Sequence, residues 1–208
     1  MKATAVPNKE VLHDRTIEIY CKAAKIFHDQ GYDATSMSDL ADALEITKAG
    51  LYYYIKSKED LLFRIINYGL DWLDREVIEP ARAVENAEDR LRFIIRQHGG
   101  EMIKGVQAIP ILTDESACLP TKLRKQIDKR KRVYFDLVRN TLDELEKQGN
   151  IREIDTTVAT FSLFGMLLWL PRWYKPNRAM GADETLEQLV NLFLGGLLAA
   201  PSKGTRSR

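Results

Sequence analysis

The sequence is poor in the residues that mark turns, disulfides and metal sites. It holds only 12 glycines and 7 prolines in 208 residues, which favours an all-helical protein. Two cysteines, Cys21 and Cys118, offer no disulfide framework, and we expect both to be small buried residues. The three histidines, His13, His28 and His98, lack the spacing of metal ligands. The sequence therefore predicts neither a metal site nor a cofactor.

Signals of export and of common enzyme chemistry are also missing. No apolar run opens the chain between Met1 and Asp14, and we therefore expect a cytoplasmic protein that does not enter a membrane. There is no glycine-rich phosphate loop, no nucleophile elbow and no metal cluster, which argues against an all-helical metabolite-binding enzyme. The sequence predicts a protein that is not an enzyme.

Positive charge is scarce for a nucleic-acid-binding protein. The net charge is +1, and residues 1–60 hold eight Lys or Arg against ten Asp or Glu. Residues 47–58, however, contain Lys48, Lys56 and Lys58 and no acid. We therefore expect nucleic-acid contacts to be confined to a small footprint that dimerisation doubles.

Residues 36–60 have the pattern of two short helices and the start of a third. Ser36 with Asp39 three residues later is typical of a capping box, and Thr47 can cap the second helix. The spacing is that of a helix-turn-helix. A surface helical hairpin with aromatic packing is the alternative.

The residue types of the second short helix suit a duplex groove. Ala49 and Gly50 allow close approach to base edges, and Lys48 can reach a guanine edge or a phosphate. Side chains that can donate to phosphate oxygens follow: Tyr53, Tyr54 and Lys58. A purely structural helical adaptor would not explain this combination.

Three segments here closely resemble the TetR family of bacterial repressors. They are Gly31-Tyr-Asp-Ala-Thr-Ser-Met37, Asp39-Leu-Ala41 and Lys48-Ala-Gly-Leu-Tyr-Tyr-Tyr-Ile-Lys-Ser-Lys-Glu-Asp-Leu61, within a match from about Arg15 to Leu62. The resemblance implies that the operator-facing residues are Ser36, Ser38, Lys48, Ala49, Gly50, Tyr52, Tyr53, Tyr54 and Lys58. The sequence departs from the family pattern at Glu45, where glycine is usual, at Tyr54, where histidine is usual, and at Ile55, where phenylalanine is usual. These departures put the phosphate contact at Tyr54 in doubt.

Hydrophobic periodicity, caps and prolines predict the other helices. Their expected bounds are 15–30, 57–79 with a stop at Pro80, 86–105, 109–117, 121–148, 157–170 and 182–199. Residues 1–14 are expected to form a loose arm and residues 201–208 a disordered tail. The predicted fold is all-α: a three-helix DNA-binding domain over 1–60, joined by a long helix to a ligand-binding and dimerisation domain over 61–208.

Two features of the second half are open to more than one interpretation. His98 lies on an apolar helix face, either as a core histidine or as a pocket histidine. Arg130 interrupts another apolar face, where it either extends to solvent or holds an anion. Residues 122–132 carry seven bases and one acid. They predict a charged helix face, a second nucleic-acid surface or a cradle for phosphates.

The last two predicted helices are more apolar than one small core requires, which predicts a symmetric homodimer. The expected interface residues are Phe161, Gly165, Leu168, Leu189, Phe193 and Leu197. In the TetR family the last two helices form the dimer interface, and the helices before them enclose an effector pocket.

The second half is also similar to the TetR-type regulators that sense fatty-acyl or steroid-derived coenzyme A thioesters. The similarity lies in Glu115 with Leu119, Arg130-x-x-x-Tyr134, residues 149–155 and Trp169-x-x-x-Trp173-Tyr-Lys-Pro-Asn177. It implies an effector site at Ile95, His98, Met102, Arg130, Tyr134, Phe164, Trp169, Arg172 and Trp173. Arg130, Arg132 and Arg172 would meet the phosphates.

The predicted function is that of a ligand-responsive regulator that binds double-stranded operator DNA. We expect a repressor that a small hydrophobic effector, such as an acyl-coenzyme A, releases from its operator. The alternative is a regulator of efflux or detoxification that responds to aromatic or hydrophobic drugs.

Overall fold

The structure is a computed structural model that describes residues 9–104, 115–176 and 180–196. All regular elements in these ranges are helical, as predicted. The α-helices are α1 (Lys9–Gln30), α2 (Met37–Ala43), α3 (Lys48–Tyr54), α4 (Lys58–Leu73), α5 (Glu79–Arg82), α6 (Ala87–Lys104), α7 (Thr121–Lys147), α8 (Thr156–Trp173) and α9 (Ala182–Gly195). A π-helical segment (Asp74–Ile78) precedes α5, and a 3-10 turn (Glu115–Cys118) precedes α7. Among the described helices, none is long and apolar enough to cross a membrane.

Local capping bonds begin several of the described helices. Ser36 Oγ accepts from the Asp39 amide while the Asp39 carboxylate accepts from the Ser36 amide, so the predicted capping box is complete. Side-chain oxygens of Thr47, Ser57 and Asp155 accept first-turn amides in the same way. These bonds satisfy N–H groups that have no partner within the helix.

Left-handed residues end helices or turn the chain. Gly31 (φ +86°) follows α1 and Gly149 (φ +70°) follows α7, as expected of helix-terminating glycines. Glu45, in the turn between α2 and α3, has φ +55°. A residue with a Cβ atom costs about 1–2 kcal/mol in this conformation, and glycine does not. The turn of the helix-turn-helix therefore contains a strained glutamate.

Three helix bounds differ from the prediction. α1 begins at Lys9 rather than at about Arg15, so residues 9–14 are helical and not part of a loose arm. Mixed charge in that stretch is equally compatible with a solvated helix. α8 continues to Trp173, and α9 ends at Gly195 because Gly196 adopts φ +72°. Residues 1–8, 201–208 and most of the predicted helix 109–117 lie outside the described residues.

The prediction that Pro80 ends the long helix was wrong. α4 passes at Asp74 into the π-helical segment, and α5 continues to Arg82 with Pro80 in its first turn. A proline inside a regular helix removes a hydrogen bond and collides with the carbonyl four residues earlier. A wide π-turn followed by a new first turn avoids this collision, so the chain stays helical beyond Pro80.

The two cysteines are exposed, and the prediction that both are buried was wrong. α1 buries Ile19, Ala23 and Phe27. At helical spacing this stripe turns Cys21 outward. Cys118 lies in the exposed part of the 3-10 turn.

The chain divides into two compact units. The first comprises Met1–Asp74 and Val106–Val133, and the second comprises Arg75–Gly105 and Tyr134–Arg208. In the first unit, α1 packs against α4 and α2, and α2 packs against α3. The boundary predicted at residue 60 differs from the division after Asp74 and stays a prediction.

The second unit is organised around α6, which packs against α8 and α9. A Cβ atom added at Gly99 would lie 2.6 Å from Leu186 Cδ2 and 3.2 Å from Leu167 Cδ2. A larger residue here would require these two leucine side chains to move. The residue before it, His98, is deeply buried in this unit.

Candidate functional site

α2 and α3 carry an exposed, polar surface. Tyr53 is 73% exposed and Tyr52 is 46% exposed. Lys48 Nζ donates to Ser38 Oγ at 3.3 Å, which joins the first turn of α3 to α2. The structure thus brings four of the predicted operator-facing residues to one exposed region, and Ser36 begins α2 beside them.

The first turn of α3 has little room for larger side chains. Thr47 Oγ1 accepts from the Gly50 amide at 3.0 Å, and a Cβ atom on Gly50 would lie 3.1 Å from the same oxygen. Ala49 is exposed and carries only a methyl group. The glycine leaves the Thr47 cap undisturbed. The short side chain of Ala49 lets the helix backbone approach a partner closely, as a groove-binding helix requires.

Tyr54 packs against Tyr53 at the end of α3. The ring centroids are 5.3 Å apart and the planes meet at 86°, an edge-to-face arrangement. Tyr54 is half-buried, and the next residue, Ile55, is fully buried. Tyr54 therefore supports the exposed ring of Tyr53.

Lys58 contacts the turn between α1 and α2. Its Nζ donates to the carbonyl oxygens of Tyr32 at 2.9 Å, Thr35 at 3.0 Å and Asp33 at 3.5 Å. It also lies 4.3 Å from the centroid of the Tyr32 ring. An ammonium group has three protons, and three carbonyls already accept them. A phosphate could bind Lys58 only by replacing one of these contacts.

In the second unit, His98 and Tyr134 form a buried polar pair. His98 is 3% exposed, and its Nδ1 lies 3.1 Å from Tyr134 Oη. His98 Nε2 is buried, and no described residue forms a hydrogen bond with it. The Phe164 ring lies 5.1 Å from that of Tyr134, and Ile95 and Met102 are buried on α6. Five of the predicted effector-site residues thus belong to this buried part of the second unit.

Burial keeps both members of the pair neutral. It lowers the pKa of His98 to about 4 and raises the pKa of Tyr134 above its usual value. Neutral groups can donate or accept hydrogen bonds, but they cannot pair electrostatically with an anion. The pair can therefore recognise an uncharged polar group.

The other effector-site residues of α8 lie elsewhere. Trp169 is 56% exposed and Trp173 is 45% exposed, because α8 turns Leu163 and Leu167 to the core. The Arg172 guanidinium lies 4.4 Å from the Trp169 ring centroid. The structure does not bring these three residues together with His98.

Arg130, in the first unit, does not extend freely to solvent, because acidic side chains of the protein already bind its guanidinium. Its guanidinium donates to Asn67 Oδ1 at 2.8 Å and to Asp71 Oδ1 at 2.7 Å, and it also pairs with Asp74. Burial opposes the charge, but these carboxylates outweigh it and raise the pKa of Arg130. These partners were not predicted from the sequence, although their spacing by four and three residues places them on one helix face.

Among the predicted interface residues, Phe161 is 64% exposed and Gly165 is also exposed. Leu168, Leu189 and Phe193 are half-buried, and Leu197 lies outside the described residues. The Phe161 ring packs 4.9 Å from that of Phe135. α8 thus has a buried face and an exposed apolar face.

The basic segment 122–132 is mainly a charged face. Its exposed bases are Lys122, Arg124, Lys125, Lys129 and Arg132, while Lys131 Nζ donates to Ser116 Oγ at 2.8 Å. Within the part of the chain that the structure describes, no group of three or more His, Cys, Asp or Glu could hold a metal ion.

Two protein families match the chain. Residues 84–197 match the family described as "Tetracyclin repressor-like, C-terminal domain", and residues 19–65 match "Bacterial regulatory proteins, tetR family". The second match contains the exposed helix-turn-helix. The first contains the buried His98 pair and all of α8.

The chain is similar over most of its length to three known proteins. The crystal structure of AibR in complex with isovaleryl coenzyme A and operator DNA has a TM-score of 0.80 and 36% sequence identity, covering 86% of this chain and 97% of AibR. The HTH-type transcriptional repressor KstR2 of Mycobacterium tuberculosis (strain H37Rv) is 23% identical over 188 residues, 89% of this chain and 94% of KstR2. The fatty acid metabolism regulator protein of Bacillus subtilis (strain 168) is 22% identical over 182 residues, 84% of this chain and 93% of that protein.

Proposed function

The chain belongs to the TetR family of DNA-binding transcriptional repressors, which are not enzymes, and we propose that it is a homodimer released from its operator by an acyl-coenzyme A. The two units divide this task. The first carries the reading helices, and the second carries the buried polar pair and the exposed apolar face of α8.

Operator DNA is bound through α3 and the start of α2. Exposure of Tyr53 and the contact between Lys48 and Ser38 support this assignment, because together they form a polar surface with low relief. Lys48 reads a base edge or a phosphate, and the hydroxyl of Tyr53 donates to the backbone. Lys58 acts indirectly, because it binds carbonyl oxygens of the turn that precedes α2.

Dimerisation uses α8 and α9. An apolar stripe along the outer side of α8 supports this, since its members remain exposed in one protomer: Val158, Phe161, Trp169 and Trp173. Leu192 on α9 is exposed as well. Apolar patches of this kind mark interaction surfaces, and two-fold symmetry would cover the same patch on both protomers.

The effector is an acyl-coenzyme A whose acyl chain enters the second unit. The carrying observation is the buried His98–Tyr134 pair beside Ile95, Met102 and Phe164, a mainly apolar region with one convergent polar group. Such a combination is typical of small-molecule sites. AibR, at 36% identity, binds isovaleryl coenzyme A together with operator DNA, which supports the same class of effector here.

The phosphates of coenzyme A need cations. Arg130 is a poor candidate, because a phosphate would have to displace Asp71 and Asp74 from its guanidinium. Arg172 is exposed on α8 and presents a planar guanidinium suited to phosphate. We therefore assign the phosphate role in the second unit to Arg172.

A second candidate effector is an aromatic drug. The rings of Tyr134, Phe164 and Phe135 form a continuous cluster, with centroids 5.1 and 6.3 Å apart, against which a flat ligand could pack. Such a ligand carries no phosphate, so it would not use the phosphate role assigned to Arg172.

One titration separates these effectors. The protein is bound to DNA that flanks its own gene, and release is followed by mobility shift as acyl-coenzyme A species of increasing chain length are added. Release that depends on both chain length and the coenzyme A moiety supports the proposal. Release by aromatic drugs or free fatty acids, but not by thioesters, contradicts it.

A further inference from the structure

The buried imidazole of His98 is only half satisfied. Its Nδ1 contacts Tyr134 Oη, whereas its Nε2 has no hydrogen-bond partner in the part of the chain that the structure describes. Buried polar atoms without a partner are rare in proteins, and each one calls for an explanation.

The tautomer of His98 can be argued from its partner. If Tyr134 donates its hydroxyl proton to Nδ1, then Nε2 carries a hydrogen, and one donor is left without an acceptor. If Nδ1 instead donates to Tyr134 Oη, both Nε2 and the tyrosine hydrogen lack partners in the described residues. The first arrangement leaves fewer groups unpaired, so we assign the hydrogen to Nε2, where it has no acceptor in the described residues.

An uncharged acceptor suits the neutral, buried ring. Burial lowers the pKa of His98 to about 4, so the ring is neutral at physiological pH and offers no positive charge. Its ring neighbours Tyr134 and, beyond it, Phe164 are also uncharged. A free carboxylate beside Nε2 would be a buried anion with one hydrogen bond, which is unfavourable. A thioester carbonyl accepts the same bond without a charge.

We propose that His98 Nε2–H donates to the acyl carbonyl oxygen of the effector, so that His98 selects a neutral thioester over a free carboxylate. This inference rests on the proposed acyl-coenzyme A function and identifies the atom that reads the acyl group. Tyr134 acts as a positioning residue, because its hydroxyl holds the imidazole in the tautomer that donates.

The test compares two ligands that differ in one group. Full-length protein on its operator is titrated with an acyl-coenzyme A thioester and with the alkyl-coenzyme A thioether of equal chain length, in which a methylene replaces the carbonyl. Wild type should bind the thioester about tenfold more tightly, the size expected when a buried donor loses its acceptor. His98→Phe should bind both ligands equally, at the affinity of wild type for the thioether. His98→Gln, whose amide can donate, should recover part of the preference.

The outcomes distinguish the inference from the function on which it rests. If wild type responds equally to both ligands, the inference falls while the coenzyme A function stands. If His98→Phe still prefers the thioester over the thioether, another residue contacts the carbonyl, and this result also contradicts the inference. If neither ligand releases the operator, the proposed function itself fails.

A measurement on wild type covers the case in which a variant does not fold. In protein labelled with 15N-histidine, the Nε2 proton of His98 should move downfield when the thioester binds and remain in place with the thioether. An unchanged resonance in the thioester complex contradicts the proposal.

Discussion

Lys58 and Tyr32 are joined twice: Lys58 Nζ lies 2.9 Å from the carbonyl oxygen of Tyr32 and 4.3 Å from the centroid of its ring. Through this pair the first turn of α4 holds the turn that precedes α2. The hydroxyl of Tyr32 is itself buried without a hydrogen-bond partner in the described residues. Lys58 therefore connects the first turn of α4 to the turn between α1 and α2.

Replacing Lys58 with Met should lower the free energy of unfolding by about 1–3 kcal/mol, because three carbonyls lose a charged donor. Urea unfolding measures this change. The salt dependence of operator binding should keep its slope, since the ammonium already donates to carbonyl oxygens. Lys56→Met, two residues away and exposed, is the control and should leave stability unchanged. Unchanged stability with a slope lower by about one per subunit would instead make Lys58 a phosphate anchor.

Replacing Glu45 with Gly should stabilise the protein by about 0.5–1 kcal/mol, because glycine adopts φ +55° without a clash between Cβ and the backbone. The midpoint of urea unfolding reports the gain. Glu45→Ala removes the same charge but keeps the Cβ atom, so it should bring no gain. Equal stabilisation by both variants would attribute the effect to charge.

Lys48→Ala and Tyr53→Phe should each weaken operator binding without changing the unfolding midpoint, since both side chains lie on the exposed face of α3. We expect Lys48→Ala to reduce discrimination between operator and random DNA, and Tyr53→Phe to weaken both alike. Fluorescence anisotropy at several salt concentrations gives both quantities. Lys25→Ala, an exposed position on α1, serves as the comparison. Wild-type affinity in both variants would contradict the assignment of α3.

Stability should fall between about pH 6.5 and pH 4 through His98. Its folded pKa is depressed to about 4 from 6.5, so the unfolded chain binds the proton first as the pH drops. The stabilisation is present above pH 6.5 and is lost towards pH 4, and its size is on the order of 3 kcal/mol. Unfolding of wild type and His98→Gln is compared at each pH, so that carboxylates common to both cancel. Parallel curves would show that His98 is not buried in the neutral form.

Phe161→Lys should yield monomers in sedimentation velocity, because a charge on the exposed apolar face of α8 cannot be buried between protomers. Val133→Lys replaces an exposed apolar residue of α7 outside the proposed interface and should remain dimeric. A dimeric Phe161→Lys protein would move the interface away from α8.

Local chemistry made much of the fold predictable. Ser36 with Asp39, Thr47 and Asp155 each satisfy an amide two or three residues away, so the starts of these helices follow from the sequence alone. The all-helical class followed for the same reason, and the small, basic and tyrosine residues of the predicted reading surface lie within the one short helix α3. Gly149 likewise ended α7 where its neighbours predicted.

Contacts between residues far apart in the sequence could not be predicted from it. Lys58 finds its acceptors 23 to 26 residues away, and Arg130 finds its partners 56 to 63 residues away on another helix. No local pattern indicates such a contact, because both side chains could equally extend to water. The unpaired nitrogen of His98 also became visible only after packing had removed water and supplied Tyr134 to its other side. Sequence determined which helices form, whereas tertiary packing decided which polar groups of the described residues are paired and which are buried without a partner.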